Sequence, residues 1–369
     1  MIASGKSSVL IDGRVLKHGE FSGVQRYAHE LLGALRKLAL PFDVAEPRTT
    51  SRYGRQCWEH FVLPRLAGRY KVLFCPANVA PLYIPRRTRL VVTIHSLSFM
   101  EIAESYRWTF RNYYRLVVPK AMRRADAIIT VSHAEAERIA ARFPSVAAKI
   151  RVIPLGVGRT FAPPREPRRL PVVLFVGSLS AAKNLHRLLA AFAEIRDKTP
   201  CAVWIVGRKG PAFALAPETA ALIARIGADR VRWLGQINDS GELAAIYQSA
   251  ALLVFPSLYE SFGLAALEAA ACGTPALVSD IPALREVMGD AAAYVNSCDV
   301  RAMADAILAL VTDENERHRL SERGIERAAQ FSWQQCAERT WDALSEVASR
   351  VPAAQAPALW ERRLKDTAS

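Results

Sequence analysis

The chain has 369 residues, 51% of them hydrophobic, and a formal net charge of +14. That length allows two sizeable cores, and the composition is that of an ordinary soluble globular protein rather than a fibrous or disordered one. No apolar run is long enough to span a membrane, the opening MIASGKSSVLIDGR lacks the pattern of a secretory leader, and the six scattered cysteines form no CxxC pair.

Cysteine used in this way points to reduced thiols in a cytoplasm. The positive balance favours anionic partners. Its densest stretch runs from Arg107 to Arg124, where Trp108, Phe110, Tyr113 and Tyr114 sit among arginines. Two readings are open there: a helix with a solvated charged face, or an aromatic and basic surface suited to the headgroups of an anionic membrane.

Short β-rich runs alternate with amphipathic helical stretches along most of the chain. The first half carries SVLID, FDVAE, KVLFC, LVVTI and AIITV; the second carries VVLFVG, AVWIVG, VRWLG, ALLVFP and PALVS. This pattern predicts an α/β fold of two doubly wound, Rossmann-like domains, with ligands at the carboxyl ends of parallel strands. Proline- and arginine-rich FAPPREPRRLP, Phe161–Pro171, reads as the linker. The expected units are residues 1–163, residues 164–345 and a helical segment 346–369, with only helices after Arg301. Ser332 is the expected cap of a helix beginning at Trp333. Neither a Walker loop nor GxGxxG occurs, so ATP hydrolysis and an NAD fingerprint have no support.

In chain order, the first candidate is the helix start Ser22-Gly23-Val24-Gln25, with capping-box spacing. Gly23 there either leaves room for a ligand or permits tight packing. LVVTI delivers His95 to a strand's carboxyl end, where it faces the cleft or is a satisfied core histidine. VVLFVG ends at Gly177, and Lys183 follows in the next loop. A lysine so placed can meet a diphosphate, or is simply solvated.

ALLVFPSLYESFGLAALEAAACGTPALVSD is the strongest segment. Its strand ends at Pro256–Ser257, a short loop delivers Glu260, and a helix is expected from about Phe262, capped by Ser261. The free amides of Phe262, Gly263 and Leu264 form an anion site, and Gly263 admits a phosphate close to the backbone. Glu268 lies in an apolar helix, so its carboxylate needs strong donors, either ribose hydroxyls or an arginine.

Assembled in this order, Gly23-Val24 with Arg26-Tyr27, TIHSLSF, RRADAIITVS, VIPLGV, VGSLSAAKNL, WIVG, VRWLGQI, ESFGLAALEAAACGTPALVSD and FSW resemble glycosyltransferase family 4, whose fold is GT-B. The Glu260-to-Glu268 spacing matches that family's E-x7-E pattern. TIHSLSF and the opening look most like bacterial mannosyltransferase-type members of surface-polysaccharide synthesis. The resemblance implies two domains across a cleft, with C-terminal helices crossing back to the first. It implies that Glu260 contacts the donor sugar and Glu268 the ribose, that Lys183 and the amides of Phe262, Gly263 and Leu264 hold the diphosphate, and that Ser178 is among the donor-binding residues. Gly23 closes from the other domain, His95 meets the sugar, and Gly207, Arg208, Gln236 and Ile237 line the base pocket. It also implies retention of configuration.

Ser96 stands where the family often has an acid, and Ala181-Ala182 precede Lys183 where an arginine is frequent. Arg187 or Arg208 is the expected compensation. No Asp-x-Asp occurs, so metal-independent transfer without a cofactor is expected. The expected partners are a nucleotide sugar, a saccharide or lipid-linked acceptor and an anionic membrane surface at the inner face of the cytoplasmic membrane, with no nucleic acid. A sugar-nucleotide epimerase, a phosphorylase and a degenerate binding subunit that docks a partner at the membrane stay open as alternatives.

Overall fold

The computed structural model describes residues 7–17, 23–49, 51–102, 106–166, 169–207, 217–227 and 229–350. Ser22, Arg208, Pro352 and most of the expected segment 346–369 lie outside the described residues.

The first unit runs β1 (Val9–Asp12), α1 (Gly23–Lys37), β2 (Phe42–Ala45), α2 (Arg52–Cys57), α3 (Leu63–Ala67), β3 (Val72–Cys75), β4 (Arg89–Ile94), α4 (Ser98–Glu101), α5 (Trp108–Arg124), β5 (Ala127–Thr130), α6 (His133–Arg142) and β6 (Ile150–Val152). The second runs β7 (Leu170–Val176), α7 (Leu185–Ile195), β8 (Ala202–Val206), α8 (Pro217–Ile226), β9 (Val231–Gly235), α9 (Ser240–Ser249), β10 (Ala250–Phe255), α10 (Leu264–Ala271), β11 (Ala276–Ser279), α11 (Pro282–Met288), β12 (Ala293–Val295), α12 (Val300–Thr312), α13 (Glu314–Ala328) and α14 (Trp333–Ser349).

Each unit holds one six-stranded sheet, ordered β2-β1-β3-β4-β5-β6 and β12-β11-β10-β7-β8-β9, with parallel pairing throughout. Central strands such as β3, β5 and β10 are buried on both faces, which is why they read as unbroken apolar runs. All ten strands expected from the sequence are present. Two three-residue strands, β6 and β12, were not expected.

The strand order of the second sheet reverses between β7 and β10. Successive crossovers leave β7 towards β8 on one side and β10 towards β11 on the other. The loops after these two strands therefore flank the crevice where ligands settle in such sheets. They are the loops that carry Lys183 and Glu260.

Helix α14 begins as expected. Ser332 caps it, its hydroxyl accepting from the Gln335 amide at 3.1 Å. The helix does not stay with the second unit. It packs on α1 and the first sheet, with Trp333 beside Tyr27 at 6.1 Å between ring centres. The return to the first unit therefore falls at Phe331–Trp333 and not at residue 346. The apolar face of α14, including Trp333, Leu344 and Val347, is what the first unit covers. Gly156 permits the crossing, because a Cβ there would meet the Trp333 nitrogen at 2.1 Å. One apolar cluster then runs from Val9 and Leu31 through Leu344 to Leu253 and Ala266.

In α5 the arginine-rich stretch is half packed. Phe110 stacks between Tyr106 and Tyr114, at 5.5 and 4.0 Å, and Tyr113 is partly buried against the same core. Of its four aromatics only Trp108 stands out to solvent. No helix of the described residues is long and apolar enough to cross a membrane.

Candidate active site

Three glycines end three neighbouring strands of the second sheet. Gly177 donates to the Val206 carbonyl at 3.0 Å, and Gly207 donates to the Gly235 carbonyl at 2.8 Å. A Cβ on Gly207 would meet the Gly177 oxygen at 2.0 Å, so only glycine lets these strand ends meet. The Trp233 indole donates to the Gly207 carbonyl at 3.1 Å and fixes that turn. Gln236 and Ile237 continue from Gly235, and Gln236 donates to Asn238 at 2.9 Å. Ser178 follows Gly177, and its hydroxyl lies 3.3 Å from that of Ser180.

The next loop turns at Asn184, whose φ of 58° and ψ of 30° suit asparagine better than most side chains. Its buried amide donates to the carbonyls of Pro256 and Ser297 at 3.0 and 2.8 Å. The Leu258 amide donates to the Ala182 carbonyl at 2.8 Å. These bonds seat the loop after β7 against the loop after β10. They hold Lys183 at the mouth of the crevice, where its ammonium pairs with Glu260 and lies 5.1 Å from the Phe255 ring centre. Arg187, expected to compensate for a missing arginine, is engaged by the Asn184 side-chain oxygen at 3.0 Å.

Helix α10 begins about two residues later than the sequence suggested. Gly263, not Ser261, is its N-cap, with φ at +92°. A side chain there is strained by the backbone and would also meet Leu284 at 2.4 Å. Ser261 instead offers its carbonyl to the Ser132 hydroxyl at 2.6 Å. The first amides of α10 have no partner within the helix and bring the positive end of its dipole to this point.

Glu268 is buried in α10, as expected for a helix made almost wholly of alanine and leucine. Of the two partners the sequence left open, the structure supplies the arginine. Arg26 of α1 reaches across from the first unit and pairs with the carboxylate, while the Tyr247 hydroxyl donates from 3.4 Å. Burial still raises the Glu268 pKa, and Arg26 opposes that rise. Gly23 opens the same helix α1. A Cβ on it would meet nothing within 4 Å among the described residues, so their packing is not the reason for glycine there.

His95 sits just past β4 and is both cleft-end and buried. Its Nε2 donates to the Pro76 carbonyl at 2.8 Å, its amide donates to Asn78 at 2.6 Å, and its ring meets Tyr27 edge-on at 4.6 Å. This fixes the tautomer and leaves Nδ1 as the acceptor. Burial pushes its pKa down to about 4, against the small upward pull of the Pro76 carbonyl. Below the ordinary histidine value the unfolded chain takes up a proton that folded His95 refuses, so stability falls as pH falls towards 4. The loss amounts to about 3 kcal/mol. His95→Gln should flatten the acid side of the stability profile, as read by urea denaturation at pH 7 and at a pH near 4. Parallel profiles for the two proteins would contradict the assignment.

A cavity of about 520 Å³ lies against Trp204, Arg232, Trp233 and α9; of the expected donor residues it touches only Ile237. A second, of about 350 Å³, lies at the ends of β10, β11 and β12 and touches none of them. Of the residues expected from the sequence, Lys183 and Glu260 pair just before the Gly263 cap of α10, while Glu268 lies further along that helix against Arg26. Arg26 and Asn184 stood in the matched motifs without a role, and Tyr247 was not singled out; the structure places Arg26 and Tyr247 at Glu268, and Asn184 behind Lys183.

Two doubly wound units, each with a parallel six-stranded sheet, and a last helix that returns to the first have the architecture of the GT-B glycosyltransferases. Known proteins agree. The profile of glycosyltransferase family 4 matches residues 21–160, and that of the glycosyl transferases group 1 matches residues 159–327. O-antigen chain mannosyltransferase B of Escherichia coli is 30% identical over 277 residues, 71% of each chain. The MMP alpha-(1->4)-mannosyltransferase of Mycolicibacterium hassiacum is 32% identical over 279 residues, 72% of this chain and 67% of that one. Among solved structures, sucrose-phosphate synthase from Thermosynechococcus elongatus superposes with a TM-score of 0.73 over 93% of this chain and all of the other, at 23% identity. The chain belongs to the group 1, family 4 glycosyltransferases, and it is a hexosyltransferase.

Proposed function

We propose that the enzyme moves a hexose, mannose as the first choice, from a nucleoside-diphosphate sugar to a saccharide or lipid-linked saccharide acceptor of surface polysaccharide, with retention and without a metal. The observation that carries this reading is the convergence of Lys183 and Glu260 on the Gly263 start of α10. The second unit takes the donor and the first the acceptor. Gly207, Gln236 and Ile237 lie along the strand ends on the base side, with Arg208 next in sequence; Ser178 and Gly23 border the phosphates, and Glu268 borders the ribose. The mannosyl choice rests on the two mannosyltransferase relatives.

Transfer requires a nucleoside diphosphate to leave the anomeric carbon. Negative charge grows on the phosphate and positive character on the sugar. Lys183 and the amides of Phe262, Gly263 and Leu264 stabilise the departing charge. Glu260 orients sugar hydroxyls, and neutral His95 offers a hydrogen-bonding edge from the opposite unit. Same-face attack, with the leaving phosphate taking the acceptor proton, gives retention without a covalent intermediate. The expectation of metal independence rests on the lack of Asp-x-Asp in the sequence.

Contact with an anionic membrane is part of the proposal. Phe61, Leu82, Tyr83, Trp108 and Leu116 of the first unit are exposed. His60 ties two of their segments to α5, at 3.3 Å from the Tyr113 hydroxyl and 3.4 Å from the Leu82 amide. The test of the whole reading is incubation with each nucleoside-diphosphate hexose and a lipid-linked saccharide, in EDTA, followed by NMR of the product. A new glycosidic bond of the donor's own anomeric configuration supports it. Release of free sugar alone would favour the epimerase instead.

A further inference from the structure

The loops that follow β4 and β10 belong to different units, yet one buried carboxylate joins them. It is Glu135, at the third position of α6. Ser132 and Glu135 have capping-box spacing, and the Ser132 hydroxyl does accept from the Glu135 amide at 3.0 Å. A capping box would send the Glu135 carboxylate back to the Ser132 amide. Here it goes elsewhere. It accepts from the Leu97 amide at 2.7 Å, from the Tyr259 hydroxyl at 3.0 and 2.8 Å, and from Arg138 at 3.0 Å.

Each of these partners adjoins a residue of the proposed chemistry. Leu97 lies two residues after His95, and Tyr259 immediately precedes Glu260. Arg138 bridges further. It covers the Tyr259 ring at 4.4 Å and donates to the Glu260 backbone carbonyl at 2.8 Å. The first-turn amides of α6 are taken by the second unit as well, since Glu286 of α11 accepts from His133 and Ala134 at 2.7 and 2.8 Å. The residue after His95 is Ser96, so that loop brings no carboxylate of its own. The carboxylate that reaches it comes from α6.

We infer that Glu135 is a positioning residue, which clasps the His95 loop of the first unit to the Glu260 loop of the second through Tyr259 and Arg138. Full burial of a carboxylate is costly without such a set of donors, and the donors come from both units. The clasp therefore holds its shape only when the two loops are in register. Its kinetic readout rests on the proposed transfer reaction; its structural readout does not.

Glu135→Gln keeps the size of the side chain and places an amide N–H against donors. Tyr259→Phe removes one hydroxyl and keeps the ring under Arg138, so folding is retained where Glu135→Gln is poorly tolerated. Each change should lower kcat about 10- to 100-fold, because displaced reacting groups cost rate steeply. Donor KM should stay within about threefold, since neither side chain is placed on the donor. The double variant should be no slower than Glu135→Gln alone, because both changes break one unit. Hydrogen exchange, read by mass spectrometry, should speed up about tenfold in peptides spanning 95–101 and 257–263 of Tyr259→Phe. Unchanged exchange in both segments overturns the clasp, and so do kcat losses that multiply in the double variant. A wild-type protein that transfers no sugar overturns the functional reading alone, since exchange reports the clasp without activity.

Discussion

Lys183→Ala lowers kcat for sugar transfer by about 100- to 1,000-fold, while its melting temperature stays close to that of the wild type. The rate loss follows from where the ammonium sits. It is held at the carboxyl end of β7 by the Asn184 turn, at the mouth of the crevice and beside the start of α10. A preorganised donor aimed at developing charge contributes about 3–4 kcal/mol to the barrier. The stability cost is small because the Lys183–Glu260 pair is partly open to water, and such pairs contribute about 1 kcal/mol or less. Lys183→Arg restores little, since a planar fork does not replace a compact ammonium on this short loop. Steady-state kinetics with thermal denaturation of the same samples checks this. A variant with wild-type kcat removes Lys183 from the mechanism.

Arg26→Ala has the opposite signature, with a large loss of stability. Arg26 is the guanidinium that neutralises Glu268, and both side chains are withdrawn from water. Removing the cation leaves a carboxylate in α10 that keeps, among the described residues, the Tyr247 hydroxyl as its hydrogen-bond partner. Stranding one member of a buried pair costs about 3–5 kcal/mol. Because Arg26 stands on α1 and Glu268 on α10, the loss also loosens the join between the two units. Glu268→Gln is milder, because an amide needs no counter-charge. Arg26→Met with Glu268→Gln together should recover much of what Arg26→Ala loses. Urea denaturation of the wild type and these three variants measures this. Equal midpoints for Arg26→Ala and wild type would show that the pair is not structural.

The same two residues show how far the sequence carried. Glu268 stands in Leu-Ala-Ala-Leu-Glu-Ala-Ala-Ala, and an acid in so apolar a helix announces a buried charge. Its partner lies 242 positions earlier in the chain, and no local pattern identifies it. Gly263 was legible because a helix start with glycine after a buried strand has few uses. The cap itself was not, since serine before it is an equally good local choice and only the +92° φ decides. Strands of four residues or more between clear turns were legible, whereas β6 and β12 are three-residue edge strands with too little sequence to show a period. Glu135 was hidden for another reason. Its spacing from Ser132 is fully accounted for by a helix cap, and only the pairing of two distant loops shows its second use.

A metal-independent nucleotide-sugar site at the start of α10 is tested most directly by thermal denaturation of the purified protein with GDP, UDP, ADP or dTDP and their sugar conjugates, with and without EDTA. One nucleotide should raise the melting temperature in proportion to the logarithm of its concentration, equally in EDTA. A well-folded protein whose melting temperature moves with none of them, or only with a divalent cation present, contradicts that site.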